Sequence, residues 1–347
     1  MKTAKKKIGI LTGGGDCPGL NPAIRGCVYA AEKFGYQCVG LQDGWKGLVN
    51  GVTMPLDREA VEYAIMKGGT MLGTSRTNPF KDEANVKKCL ANFKKLGLHA
   101  LVAMGGEDTL GVATRLYGEH KLNVVGVPKT MDNDLNATDY TFGFDTSVTK
   151  AMEGAEALID TGRSHRRVMV LEVMGRHAGW VALFTGIASA ADYVCLPERK
   201  INTIEMIEKV KAAYARKRFA LVVTSEASVL PAEKADESKH ELDQFGHHIL
   251  KDRGMGEHIA HFIEKQTGFE TRSAVIGHLQ RGGAPTLFDR ILGTRVGIKA
   301  AELVRDGHWG QMSALVGNDV VGVPLAKATG ELKTVSKEWF DLMEVLF

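Results

Sequence analysis

The chain has 347 residues, 44% of them hydrophobic and 24% charged, with a formal net charge of +3. That length supports a sizeable core, read as two lobes. The near-balanced charge gives no electrostatic ground for nucleic acid as a partner, and no apolar stretch approaches the roughly 18 residues of a membrane-spanning helix.

The basic start, MKTAKKKIGIL, resembles the first region of a signal peptide. The apolar run behind it stops at 13-GGG-15, too short for an apolar signal core, so Lys7–Leu11 is expected to be the first strand. The loop 12-TGGGDCPGLNPAIRG-26 then forms a glycine turn into a helix over 21–35, and Gly14 and Gly15 would let the backbone approach a phosphate. It is neither GxGxxG nor a Walker A loop, which argues against a nicotinamide-binding enzyme. A second strand is expected over Gln37–Gln42. The loop 70-TMLGTSRTNPFKDE-83 carries the cations Arg76 and Lys81, which suit a polyphosphate; a solvated surface loop is the plainer alternative. A helix follows over 84–97, then an apolar strand within 98-LHALVAM-104, then 105-GGEDT-109 and a helix over 109–120.

Glycines between a strand and a helix favour anions, yet this last loop holds Glu107 and Asp108. One carboxylate can hold a metal; two suggest that something is also excluded. A strand at Val124–Val127 leads into 127-VPKTMDNDL-135, where Lys129, Thr130, Asp132 and Asp134 crowd together. Phosphoryl transfer needs such density: a base for the acceptor hydroxyl, a metal, and a cation for the transferring group. Strands at Val168–Val173 and Ala220–Thr224 follow, with 172-EVMGRHAGW-180 placing Arg176 beyond the first. The charge-dense stretch 231–248 is expected to be an exposed loop or frayed helix. In 277-GHLQRGGAPTLFDR-290, His278 and Arg281 stand at helical-turn spacing before a glycine pair, as for a phosphate monoester, though a structural histidine is the plainer alternative. Nothing beyond about residue 310 carries a recognisable motif. Strands alternating with helices imply an α/β fold with mostly parallel sheets and ligands at the carboxyl ends of strands. The five cysteines (17, 27, 38, 89, 195) lack metal spacing, so reduced thiols in a cytoplasmic protein are expected.

In order, TGGGDCPGLNPAIRG, GGEDT, PKTMDNDL, EVMGRHAGW, ETRSAVIGHLQRGG and FDRILGTRVG resemble the phosphofructokinase family, from about Lys7 to about Ala300. The resemblance implies two Rossmann-like βαβ domains, 1–142 with 281–331 and 143–280 with 332–347, and an active site in the cleft between them. It implies phosphoryl transfer to the 1-hydroxyl of fructose 6-phosphate, with Asp132 as base, Arg176 stabilising the transferring group and Lys129 assisting. Glu107 matches the Mg²⁺-associated acid of the family, one methylene longer than the usual aspartate. Gly14, Gly15, Gly106 and Thr109 are expected around the donor, with Arg76, Lys81, Asp108 and Lys129. Thr130, Asp134, Met174, Gly175 and Glu226 match residues around the sugar, and His278 and Arg281 match the 6-phosphate site. Arg167 and Arg272 match arginines that reach this phosphate from a neighbouring subunit, which implies a homodimer or homotetramer. Arg25 matches one effector-phosphate arginine of allosteric members, while Tyr29 replaces another.

Asp108 and Lys129 stand where ATP-dependent members have glycine, a pair of departures similar to that in pyrophosphate-dependent members. Asp108 adds bulk and charge against a nucleotide phosphate, and Lys129 adds a cation for pyrophosphate. An Asp108–Lys129 ion pair without a donor role, an ATP-dependent enzyme and an inactive sugar-phosphate-binding subunit are the alternatives.

Overall fold

The computed structural model describes residues 5–231 and 254–347. The chain opens with β1 (Lys7–Thr12), α1 (Leu20–Lys33), β2 (Gln37–Leu41), α2 (Trp45–Asn50), β3 (Thr53–Leu56), α3 (Glu83–Lys95), β4 (Leu98–Gly105), α4 (Glu107–His120) and β5 (Val124–Pro128). Then come α5 (Phe144–His165), β6 (Val168–Val173), α6 (Trp180–Ala188), β7 (Tyr193–Cys195), α7 (Thr203–Lys217), β8 (Ala220–Ser225), α8 (Met255–Thr267) and β9 (Thr271–Val275). The chain closes with α9 (Leu287–Arg305), β10 (Gln311–Val316), β11 (Asp319–Pro324), α10 (Leu325–Ala328) and α11 (Lys337–Leu346).

Two sheets form. The larger has the order β11-β10-β5-β4-β1-β2-β3 and the smaller the order β7-β8-β6-β9. In the larger sheet β3 and β11 run antiparallel at the edges and the strands between them are parallel; the smaller sheet is parallel throughout. Parallel strands flanked by helices are buried on both faces, hence the mostly apolar β5, β6 and β8, every residue of which is buried. α1 and α9 pack so closely that a methyl group on Gly26 would strike the Thr294 carbonyl and one on Gly297 the Ala23 carbonyl.

The chain leaves β1 in one direction and returns to place β4 on its other side. The carboxyl ends of β1 and β4 therefore flank a crevice, the place where open α/β sheets bind ligands. Both glycine loops, 13–15 and 105–106, end there.

The structure adds to the sequence reading at two points. α4 begins at Glu107 rather than at 109, so Glu107 and Asp108 occupy the first helical turn, where the helix dipole favours carboxylates. The motif-free tail supplies β10 and β11, which complete the larger sheet beside β5. The stretch 231–248 lies, apart from Pro231, outside the described residues. All five cysteines are free and buried, and burial pushes the thiols of Cys17, Cys38, Cys89 and Cys195 up to about 12, which makes them unreactive. Among the described residues no helix is long and apolar enough to cross a membrane.

Candidate active site

The first glycine loop is fixed from below and from the side. The Gly13 N–H donates to the Met104 carbonyl at 3.0 Å, and the buried Thr109 side chain fills the space a Cβ on Gly13 would need. The loop 70–77 closes over it: Gly14 N–H donates to the Ser75 carbonyl at 3.2 Å, and Thr74 Oγ1 donates to the Gly14 carbonyl at 2.5 Å. Arg76, exposed, follows directly. Lys81 is exposed too. Its neighbour Phe80 packs on Arg115 and His120, about 12 Å or more along α4 from its first turn.

Two cations converge on this loop. Lys129 is only 4% exposed, and its ammonium donates to the Gly15 carbonyl at 2.5 Å. The Arg281 guanidinium donates to the Asp16 carbonyl at 3.0 Å and lies where a Gly15 side chain would be. Burial pulls the Lys129 ammonium down, and the Arg281 charge adds to that. His278 and Arg281, paired by sequence spacing, diverge here. Both lie in the 3-10 turn Gly277–Arg281, but His278 is exposed while Arg281 is turned in to the glycine loop.

The loop after β5 brings the carboxylates. Thr130 Oγ1 accepts the Asp132 N–H at 3.1 Å, and Asn133, at φ 52°, turns the chain so that Asp132 and Asp134 lie close together. Burial first, then the Asp134 charge, raise the Asp132 carboxyl to about 6, against the charges of Arg281, Lys129 and Arg176. Its Oδ1 is buried without a hydrogen-bond partner. Asp134 is also raised, by burial first; the Glu107 charge adds to the rise, while a hydrogen bond from Thr130 opposes it. An ionised, poised carboxylate with an open acceptor is the arrangement a general base needs.

The smaller sheet contributes from the carboxyl ends of its strands. Met174, Gly175 and half-buried Arg176 follow β6, and Glu226 follows β8, its Oε1 accepting the Gly175 N–H at 3.3 Å. Gly175 lies at φ 151° against Ala178 and Ser225. Burial raises Glu226, and both Asp132 and Arg176 act on its charge, so the two sheets' contributions meet.

The phosphofructokinase profile matches residues 7–304. This chain belongs to the phosphofructokinase family. It is 47% identical, over 99% of both chains, to a Dictyoglomus thermophilum protein named pyrophosphate–fructose 6-phosphate 1-phosphotransferase. It is 44% identical, over 98% of this chain and 100% of the other, to a Streptomyces coelicolor protein named ATP-dependent 6-phosphofructokinase 2. A pyrophosphate-dependent phosphofructokinase structure from Nitrosospira multiformis shares the fold, with a TM-score of 0.84 at 22% identity over 96% of this chain and 87% of that one.

Two of the expected phosphofructokinase site residues lie far from this cluster. Arg167 precedes β6 and Arg272 sits near the start of β9, whereas Arg176 lies beyond the carboxyl end of β6, ~20 Å from Arg167 along the strand. Both arginines pair with Glu270, at 2.7 and 2.6 Å. At the expected effector position, the guanidinium groups of Arg25 and Arg58 both stack on the Tyr29 ring, at 4.2 and 3.9 Å.

The sequence reading did not single out Gln280, although it lies in a quoted motif. It is fully buried; its Oε1 accepts the Met174 N–H at 2.8 Å and its Nε2 donates to Ser147 Oγ at 3.1 Å, so it fixes the start of the Arg176 loop. A glutamine between two site residues was the available signal.

Proposed function

We propose that this protein transfers a phosphoryl group from pyrophosphate to the 1-hydroxyl of fructose 6-phosphate, giving fructose 1,6-bisphosphate and phosphate, reversibly. The observation that carries the choice of donor is the buried Lys129 ammonium on the glycine loop, with Asp108 in the first turn of α4. In this reading the 1-oxygen attacks the terminal phosphorus, the bridging P–O bond breaks, and Asp132 Oδ1 takes the hydroxyl proton. Arg176 and Lys129 offset charge on the transferring group. Gly14, Gly15, Gly106 and Thr109 form the donor floor, with Arg76 at its rim. Thr130, Asp134, Met174, Gly175 and Glu226 surround the sugar. His278 faces the 6-phosphate, and Arg281 stands where sugar and donor meet. The domain division is 1–142 with 281–331 and 143–280 with 332–347.

Glu107 and Asp134, close enough for the Glu107 charge to act on Asp134, offer hard oxygen donors. This fits Mg²⁺, which is commonly held by one or two carboxylates plus phosphate oxygens and water. Glu107 would hold it, and the ion would neutralise phosphate charge. Initial rates with fructose 6-phosphate, comparing pyrophosphate with ATP, test the reading. Rates that favour ATP would replace it with the ATP-dependent reaction.

The raised Asp132 carboxyl predicts a pH dependence. Protonation below about 6 removes the base, so kcat/KM, corrected for the substrates' own phosphate ionisation, should fall about tenfold per pH unit below that value and level off above it. A profile flat from pH 5 to about 7 would remove this role.

The placement of Arg167 and Arg272 supports a homo-oligomer with shared sites. Arg167→Ala and Arg272→Ala should each raise KM for fructose 6-phosphate by roughly 10- to 100-fold, the loss of a charge-assisted phosphate contact. Mixing either with Asp132→Asn and exchanging subunits should leave about a quarter of the sites of random dimers intact. No recovered activity despite demonstrated exchange would place these arginines outside any shared site.

A further inference from the structure

Residues 329–336 run between α10 and α11 and cross from the larger sheet to the smaller one. Leu332 bridges Leu135 in antiparallel fashion, Asn136 Nδ2 donates to the Glu331 carbonyl at 2.7 Å, and the Lys333 N–H donates to the Asp134 carbonyl at 2.8 Å. The Lys333 ammonium then enters the loop that carries Asp132. It donates to Asn133 Oδ1 at 3.0 Å and to the Thr138 and Asp139 carbonyls, each at 2.9 Å. An ammonium has three donors, so this one loop takes all of them.

Asn133 is the pivot of that loop. It is 4% exposed, sits in the left-handed region, and its Oδ1 also accepts the Thr141 N–H at 3.1 Å. Asp132 shares a peptide bond with it, so a rotation at Asn133 carries the Asp132 carboxylate along. On the other side, the Lys333 carbonyl accepts Trp180 Nε1 at 2.8 Å. Val335 N–H and Gly179 N–H both donate to Glu198 Oε1, at 3.0 and 2.9 Å. Trp180 and Gly179 close the loop that carries Arg176. One residue thus holds the Asp132 loop with its side chain and the end of the Arg176 loop with its main chain.

We propose that Lys333 is a positioning residue that ties the Asp132 loop to the Arg176 loop and sets the geometry between the two groups. This rests on the catalytic reading above. Burial lowers the Lys333 ammonium to about 8, with Asp139 and Asp134 opposing the shift, so it is charged at neutral pH and its three contacts are charge-assisted.

The test measures kcat and KM for fructose 6-phosphate, with pyrophosphate, in the full chain and its variants, alongside thermal melting. Lys333→Met should lower kcat by roughly 10- to 100-fold, the cost of a small displacement of reacting groups, with KM within about threefold. Lys333→Arg, which keeps the charge, should recover part of that loss. Asn136→Ala loosens the same segment at Glu331 without touching Asn133, and should lower the melting temperature while leaving kcat within about threefold. Should Lys333→Met fail to fold, Trp180→Phe keeps a smaller aromatic ring, removes the donor to the Lys333 carbonyl, and should lower kcat several-fold. A folded Lys333→Met with near-wild-type kcat, or an equal fall in Asn136→Ala, overturns the proposal. In the unfolded case, an unaffected Trp180→Phe does so. A wild type inactive on these substrates fails the catalytic reading instead.

Discussion

Asp132→Asn should reduce kcat by about 10²–10⁴-fold in both directions and leave KM for fructose 6-phosphate within a few-fold. The substitution is isosteric, so the loop that holds Asp132 between Thr130 and Asn133 keeps its shape. The open acceptor Oδ1 becomes part of a carboxamide, which cannot take a proton at neutral pH. The side chain also loses its charge beside Lys129, Arg281 and Arg176, so two effects act together: loss of the base and loss of a negative charge facing the cations. Both weigh more on the transition state than on the bound sugar phosphate, whose 6-phosphate other residues would hold in the proposed site. The acidic limb near pH 6 should vanish from the residual activity. A variant within a few-fold of wild type would move the proton transfer to another group.

The second large effect concerns the donor. Wild type should use pyrophosphate and show little activity with ATP. Asp108→Gly should let ATP activity appear, because it removes a carboxylate from the helix end where a nucleotide phosphate would lie. Lys129 needs a more careful substitution. Its ammonium is buried on the Gly15 carbonyl, so Lys129→Gly would open a cavity and strand that carbonyl together. Lys129→Met keeps the volume and removes the charge. It should depress pyrophosphate kcat/KM by a few kcal/mol, at about 1.4 kcal/mol per factor of ten, and more than Asp108→Gly does. Steady-state kcat/KM for both donors on the wild type, each variant and the double variant decides the matter. Asp108→Gly without any gain in ATP use would place the exclusion elsewhere.

What the sequence determined by itself is local. Each strand, the glycine turn after it and the helix beyond it are set by residues within a few positions of one another, so β1, β4, β5, β6 and β8 and the loops at their carboxyl ends could be placed from apolar runs and glycines alone. Because parallel strands all point the same way, those loops were bound to gather at one side of each sheet. The polar density around Lys129, Asp132 and Asp134 was visible for the same reason. Only the tertiary structure decided what lies between distant segments. Arg281 reaches a carbonyl 265 residues away in sequence, and Lys333 grips carbonyls 195 and 194 residues away, in a tail with no motif. His278 and Arg281 share a turn, yet one faces solvent and the other the glycine loop. Arg167 and Arg176 sit nine positions apart in the chain, and the extended β6 between them puts them at opposite ends of a sheet. The raised Asp132 carboxyl belongs to this class too, since burial by the assembled lobes, not any neighbour in sequence, is its first cause.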